Sequence, residues 1–252
     1  MRSDDGARVR PGGIACLVTC EHGGNRIPAP YAALFRSHAA LLASHRGYDP
    51  GALAMARSLA RALDARLMTS TVSRLLVELN RSPGRQFRNS PVMRAAARDV
   101  RTDICRRYYT PHWTAAEAFV GEAIASGRRV LHVSSHSFTP SLDGDVRRTD
   151  VGLLYDPARA SERALCAAWQ RALCARLPYW TARRNYPYRG TGDGLTRHLR
   201  TRFADALYCG IELEINQKHV RDGHAIAARE RAAVVAALRD ALASFASASG
   251  SP

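Results

Sequence analysis

The 252-residue sequence contains one lysine, Lys218, so all but one of its 37 basic residues are arginine. It has no apolar run of 18 residues or more, no Cys-x-x-Cys pair, no internal repeat and no low-complexity linker. Each absence narrows the field. Without a long apolar run there is no candidate membrane span. The N-terminus, MRSDDGARVRPGG, is charged, and the short apolar segment behind it, Ile14–Cys20, reads as a strand and not as a signal. The expectation is a cytoplasmic protein with no membrane partner.

Six cysteines are present, at 16, 20, 105, 166, 174 and 209. Their apolar or helical surroundings and the missing Cys-x-x-Cys favour reduced, buried thiols over a disulfide framework or a cysteine zinc site. Cys16 and Cys20 on one strand would be roughly 13 Å apart, beyond the reach of a disulfide. The formal charge of +15 raises the question of nucleic acid. The arginines are scattered among alanines, however, without a basic block or an aromatic-interleaved patch. They reflect a compositional bias, not a phosphate track, and no nucleic-acid partner is expected.

The pattern that is present alternates strand and helix, which predicts an α/β domain with a largely parallel sheet over residues 13–245. Residues 1–12 and the tail 246–252 are expected to be frayed. Strands are predicted at Ile14–Cys20, Thr71–Leu79, Val130–Ser134, Val151–Tyr155 and Tyr208–Ile215. Asp49-Pro50 reads as an N-cap and first turn of a helix whose apolar face is Ala52, Ala56, Leu59, Leu63 and Leu67. Residues 82–92 read as a loop and 94–126 as mostly helical with a break near Pro111. Ser161–Leu177 and Ala225–Phe245 are helices. Residues 183–196, RRNYPYRGTGDGLT, form a glycine-rich loop, a mobile lid or a plain surface turn.

Several strand ends stop on reactive residues: Glu21-His22, Asn80-Arg81, Ser135-His136 and Glu212/Glu214. Ligands of open α/β sheets bind outside the carboxyl ends of the strands. A single histidine at a tight turn is more often a satisfied loop residue than a ligand. Two at separate strand ends, His22 and His136, shift the reading towards a metal, and zinc suits imidazole. A carboxylate would complete a three-ligand set; Asp49 is a candidate, alongside its reading as an N-cap. Glu212 and Glu214 share one face of their strand, either as a solvated acidic edge or as a general base beside a metal-activated water. Arg81 offers a planar fork for a carboxylate. Arg189 and Asp193 lie in the glycine-rich loop, whose Gly-x-Gly-x-Gly has no helix-start context for phosphate binding.

Seven segments, in order, resemble the N-formylglutamate amidohydrolase family: CEHGGNRIP, YDPGALAMARSLA, SRLLVELNRSP, HVSSHSFTP, DVGLLYDP, NYPYRGTGDGLT and GIELEINQ, together covering roughly residues 14–220. The resemblance implies kinship with zinc carboxypeptidases and aspartoacylase, and a three-layer α/β/α fold around a mixed, mostly parallel sheet of about eight strands. It implies zinc ligation by His22 and His136, substrate carboxylate binding by Asn80 and Arg81, and catalysis by Glu212. Arg189 would hold a second carboxylate, with Asp193 beside it. Carboxypeptidases carry a glutamate ligand three residues after the first histidine, where this chain has Asn25. Asp49 is therefore preferred as third ligand, and Asn25 is expected to shape the turn or contact substrate. Glu78 stands where the family string has aspartate. The implied activity is metal-dependent hydrolysis of an N-acyl, foremost N-formyl, acidic amino acid; manganese or iron are alternatives to zinc. The rival readings are a metallo-carboxypeptidase, a deacylase of other N-acyl amino acids, and a non-catalytic anion- or RNA-binding protein.

Overall fold

The computed structural model describes residues 13–221 and 225–248. Residues 1–12 and 249–252, expected to be frayed, lie outside that range; residues 246–248, also expected to be frayed, continue the last helix, which ends at Ala248. Ten strands are described: β1 (Ile14–Cys20), β2 (Arg66–Thr69), β3 (Arg129–Phe138), β4 (Ser141–Leu142), β5 (Asp145–Val146), β6 (Val151–Leu154), β7 (Ala182–Arg184), β8 (Tyr208–Asn216), β9 (Val220–Arg221) and β10 (Ala225–Ile226). The α-helices are α1 (Ala39–Ala43), α2 (Ala52–Leu63), α3 (Pro91–Ala95), α4 (Arg98–Ile104), α5 (Thr110–Ala125), α6 (Ala160–Arg176), α7 (Leu195–Arg202) and α8 (Ala228–Ala248).

Six strands form the main sheet, in the order β2-β1-β3-β8-β6-β7, two fewer than expected. β2, β1, β3 and β8 run parallel, and β6 is antiparallel to β8 and parallel to β7. β4–β5 and β9–β10 are separate two-stranded ladders. The central strands β3 and β8 are buried along nearly their whole length, as strands covered on both faces must be. Side-chain alternation sends Val18, Leu131, Val133, Ile211 and Leu213 into a core with α2, α6 and α8. It sends Ala15, Leu17, Val130 and Tyr208 into a second core with α5, α7 and the 72–79 segment. The result is the expected three-layer arrangement. Among the described residues no helix is long and apolar enough to cross a membrane.

Local departures from the sequence reading have identifiable causes. The predicted strand 71–79 is a set of turns; the strand at that edge is Arg66–Thr69. Ser73 organises the turns: its carbonyl accepts from the Leu76 and Val77 amides and its hydroxyl from the Leu75 amide. The apolar run buries Leu75, Leu76, Val77 and Leu79 all the same, and a short apolar run does not by itself distinguish strand from buried turn. Leu67, counted on the helix face, therefore sits on β2. Asp49 does not cap α2; Gly51, at φ +84°, holds that position in the left-handed region. Pro111 does not break its helix. The chain widens into a π turn at Cys105–Tyr109, where the Thr110 amide reaches the Cys105 carbonyl, and continues as α5. β3 extends to Phe138, so His136 lies inside the strand. α7 begins within what read as the end of a loop. β8 is central, which removes the reading of Glu212 and Glu214 as a solvated edge.

Candidate metal and substrate site

A cavity of about 470 Å³ opens beside the carboxyl ends of β1, β3 and β8. His22 leaves β1 and is fixed by its own backbone, whose carbonyl accepts from the Asp49 amide at 2.9 Å. Gly23 and Gly24 allow the chain to pass close to the residues after β2: an added Cβ would lie 2.9 Å from the Ser70 carbonyl oxygen or 2.8 Å from that of Thr71. Asp49 Oδ2 lies 3.2 Å from His22 Nδ1 and 3.0 Å from His136 Nδ1. The sequence thus separates three buried side chains by up to 114 positions, and the fold brings one donor atom from each within 4.8 Å of the others.

The opposite ring nitrogens are occupied by the protein. His22 Nε2 is hydrogen-bonded to Glu78 Oε1. Glu78 also accepts two bonds from Arg74, at 2.6 and 2.8 Å, and Arg74 reaches Asp49 Oδ1 at 3.0 Å. His136 Nε2 stands 2.8 Å from Ser134 Oγ and 3.3 Å from Glu21 Oε2. Both imidazoles are thereby oriented with Nδ1 towards the shared point. Burial alone would raise the Asp49 and Glu78 carboxyl pKa values, but His22 and Arg74 outweigh it and hold both well below the usual range. Glu21, fully buried, is likewise held low against burial by His112 and His136. His136 is raised, against burial, by Asp49 and Glu21. Two imidazole nitrogens and one ionised carboxylate, with carboxylate partners behind both rings, form a donor set that suits a divalent metal ion.

Asn80 and Arg81 line the same cavity. Asn80 Oδ1 accepts from the Leu195 amide at 2.9 Å, and an added Cβ on Gly194 would sit 2.6 Å from that oxygen. Arg81 uses Nη1 to donate to the Asn80 carbonyl at 2.6 Å and the Asp193 carbonyl at 3.0 Å; its other two nitrogens have no hydrogen-bond partner among the described residues. Asp193 serves Arg81 through its backbone, while its carboxylate accepts from the Ser82 amide at 3.3 Å. Arg189 is exposed on the wall without a protein partner among the described residues. The loop that carries it is tied down: Asn185 Oδ1 accepts from the amides of Tyr155 and Gly190. Asn25 is not in the cavity wall; it is exposed and its side-chain amide donates to the Leu42 carbonyl at 3.2 Å, a turn-shaping position.

The two β8 carboxylates differ. Glu212 Oε1 accepts a hydrogen bond from the Thr196 hydroxyl. Glu214 is directly across the ladder from His136, is 6% exposed, and leaves Oε2 without a hydrogen-bond partner. Burial, opposed by His136 and reinforced by Asp49 and Glu212, pushes its pKa up to about 8. Sequence reasoning weighed Glu214 only as the face-mate of Glu212. It missed Arg74, although Arg74 and Glu78 stand at i,i+4 and that spacing signals an ion pair wherever the chain coils. The roles of Glu21 and Ser134 carry no sequence signal, because each depends on the register of β1 against β3.

The family model for N-formylglutamate amidohydrolase matches residues 14–220. A sequence comparison with curated proteins finds no significant match. Among solved structures, gene product Atu2144 from Agrobacterium tumefaciens superposes with a TM-score of 0.76 at 28% identity, over 92% of this chain and 91% of that one. An N-formylglutamate amidohydrolase from Ralstonia eutropha JMP134 superposes with a TM-score of 0.65 at 19% identity, over 94% and 97%, a likeness of fold. A metallo-carboxypeptidase from Burkholderia cenocepacia reaches a TM-score of only 0.41 at 14% identity, over 98% of this chain and 59% of that one. With the family model spanning His22, Asp49, Asn80, Arg81, His136 and both β8 glutamates of the cavity, the chain belongs to the N-formylglutamate amidohydrolase family.

Proposed function

We propose that the protein is a zinc-dependent amidohydrolase that cleaves an N-formyl acidic amino acid, N-formylglutamate foremost, to formate and the free amino acid. The observation that carries this reading is the convergence of His22, Asp49 and His136 on one point, in the same cavity as a partly free arginine and an unpaired buried carboxylate. Zinc held by these three residues would polarise the acyl carbonyl and acidify a water molecule.

The remaining roles belong to the chain. Arg81 presents Nε and Nη2 to the substrate α-carboxylate, its direction set by the two carbonyls that hold Nη1. Arg189, further along the wall, faces a second carboxylate. A carboxylate beside the metal takes a proton from the attacking water and returns it to the departing amine nitrogen. Family resemblance puts Glu212 there. Its bond from Thr196 and the free oxygen of Glu214 opposite His136 favour Glu214 as the proton carrier, with Glu212 as its neighbour. The test is formate release from N-formylglutamate by wild type, Glu212→Gln and Glu214→Gln. Loss in Glu214→Gln with a smaller effect in Glu212→Gln supports the assignment; the reverse order returns the role to Glu212. Cleavage of C-terminal peptide bonds without formate release would reject the amidohydrolase reading.

A further inference from the structure

His112 is not in the cavity wall, yet it sits behind the site in an unusual setting. Its side chain is 9% exposed, and its Nε2 has no hydrogen-bond partner. The atom it faces, Glu21 Oε1 at 3.6 Å, has none either. The other oxygen of Glu21 accepts from Ser134 Oγ at 2.9 Å and lies 3.3 Å from His136 Nε2. A continuous buried path therefore runs from α5 through Glu21 and Ser134 to the ring of His136.

We infer that His112 is a positioning residue that acts through Glu21 to fix the ring of His136 with Nδ1 turned towards the proposed cation position. The inference rests on the metal site of the proposed function. Its physical ground is that a buried carboxylate keeps its place behind a ring only if it is itself fixed and its charge is met. Ser134 and His136 engage one oxygen, and His112 is the group that faces the other. The helix is shaped for this. The π turn at Cys105–Tyr109 immediately precedes the turn bearing His112, and wide turns of this kind concentrate at functional positions. That same turn donates from the Tyr109 hydroxyl to the Arg81 carbonyl at 2.8 Å and from Trp113 Nε1 to the Leu79 carbonyl at 2.7 Å. One stretch of helix thus braces the arginine clamp on one side and the metal-facing histidine on the other.

The test is a double-mutant cycle read by zinc affinity in competition with a chromophoric chelator, with folding followed by thermal melting. Loss of an outer partner costs about 10- to 100-fold in metal affinity, and that range is expected for both Glu21→Gln and His112→Ala. Because His112 acts through Glu21, the double variant should bind zinc no more weakly than Glu21→Gln alone. His112→Gln, which keeps an N–H near the position of Nε2, should restore most of the affinity. Nitrogen-15 spectra of the His136 ring in metal-free protein give a readout that needs no zinc: His112→Ala should move the ring signals in the same direction as Glu21→Gln. Wild-type zinc affinity in folded His112→Ala, additive losses in the double variant, or unchanged His136 ring signals in His112→Ala would each overturn the inference. Wild-type protein that binds no zinc would sink the functional reading instead, and the His136 ring signals would still decide the role of His112.

Discussion

The floor and the rim of the cavity are built on opposite principles. On the floor, nearly every polar atom has a protein partner: the outer nitrogens of His22 and His136, both oxygens of Asp49, and Glu78 with four donor atoms. On the rim, groups are left open: Nε and Nη2 of Arg81, the whole guanidinium of Arg189 and Oε2 of Glu214. A buried polar atom without a partner is costly, so Oε2 of Glu214 marks where a ligand would complete the structure, while Arg81 and exposed Arg189 leave their open nitrogens to solvent. On the proposed function, the difference separates residues that fix geometry from residues that would meet substrate.

That division makes ordered predictions. The largest effect is expected where an open group does chemistry: Glu214→Gln should lower kcat by about 100- to 10,000-fold while retaining bound zinc, as shown by metal analysis of the purified variant. On the floor, Glu78→Gln should weaken zinc binding about 10- to 100-fold with KM for N-formylglutamate little changed, measured by chelator competition alongside steady-state kinetics. If Glu78→Gln instead raised KM alone, the floor would not be a metal brace. Arg81→Ala should lower kcat/KM roughly 10- to 100-fold, the worth of one or two charged hydrogen bonds, chiefly through KM. Exposed Arg189 should matter least. Arg189→Gln should reduce the preference for N-formylglutamate over N-formylleucine by no more than about 5-fold, and a larger loss would move it among the anchoring groups.

A pH measurement sharpens the same contrast in metal-free protein. Glu214, mainly through burial, keeps its proton up to about 8, against an ordinary value of 4.5. The folded chain therefore binds a proton that the unfolded chain has released, and the contribution of Glu214 to stability falls as pH rises from 4.5 towards 8. Denaturant unfolding across that interval should show a decline that Glu214→Gln reduces. A slope identical in the two proteins would mean that Glu214 is already ionised.

The strand-end rule made His22 legible in the sequence, because β1 delivers it at its carboxyl end; His136 lies two residues inside β3, and Asn80 and Arg81 reach the same cavity from turns and not from the predicted strand 71–79. The reading of Asp49 as a helix cap was displaced by Gly51, which takes the left-handed cap position and frees the carboxylate for the cavity. What could not be read depends on register and on turns. Ser134 meets Glu21 only because β3 lies against β1 with Thr19 opposite Ser134. Arg74 meets Glu78 only because Ser73 bends an apolar run that looks extended. The choice between Glu212 and Glu214 turns on which of two face-mates Thr196 reaches, and α7, which carries Thr196, lay at the edge of what read as a loop.

The most direct measurement is a zinc titration of metal-stripped protein with formate release from N-formylglutamate as the readout. The account predicts negligible release without metal, a linear rise to one zinc per chain and a plateau thereafter, with His136→Ala showing no such break. Full activity in the stripped protein, or a rise with no break at one equivalent, would contradict it.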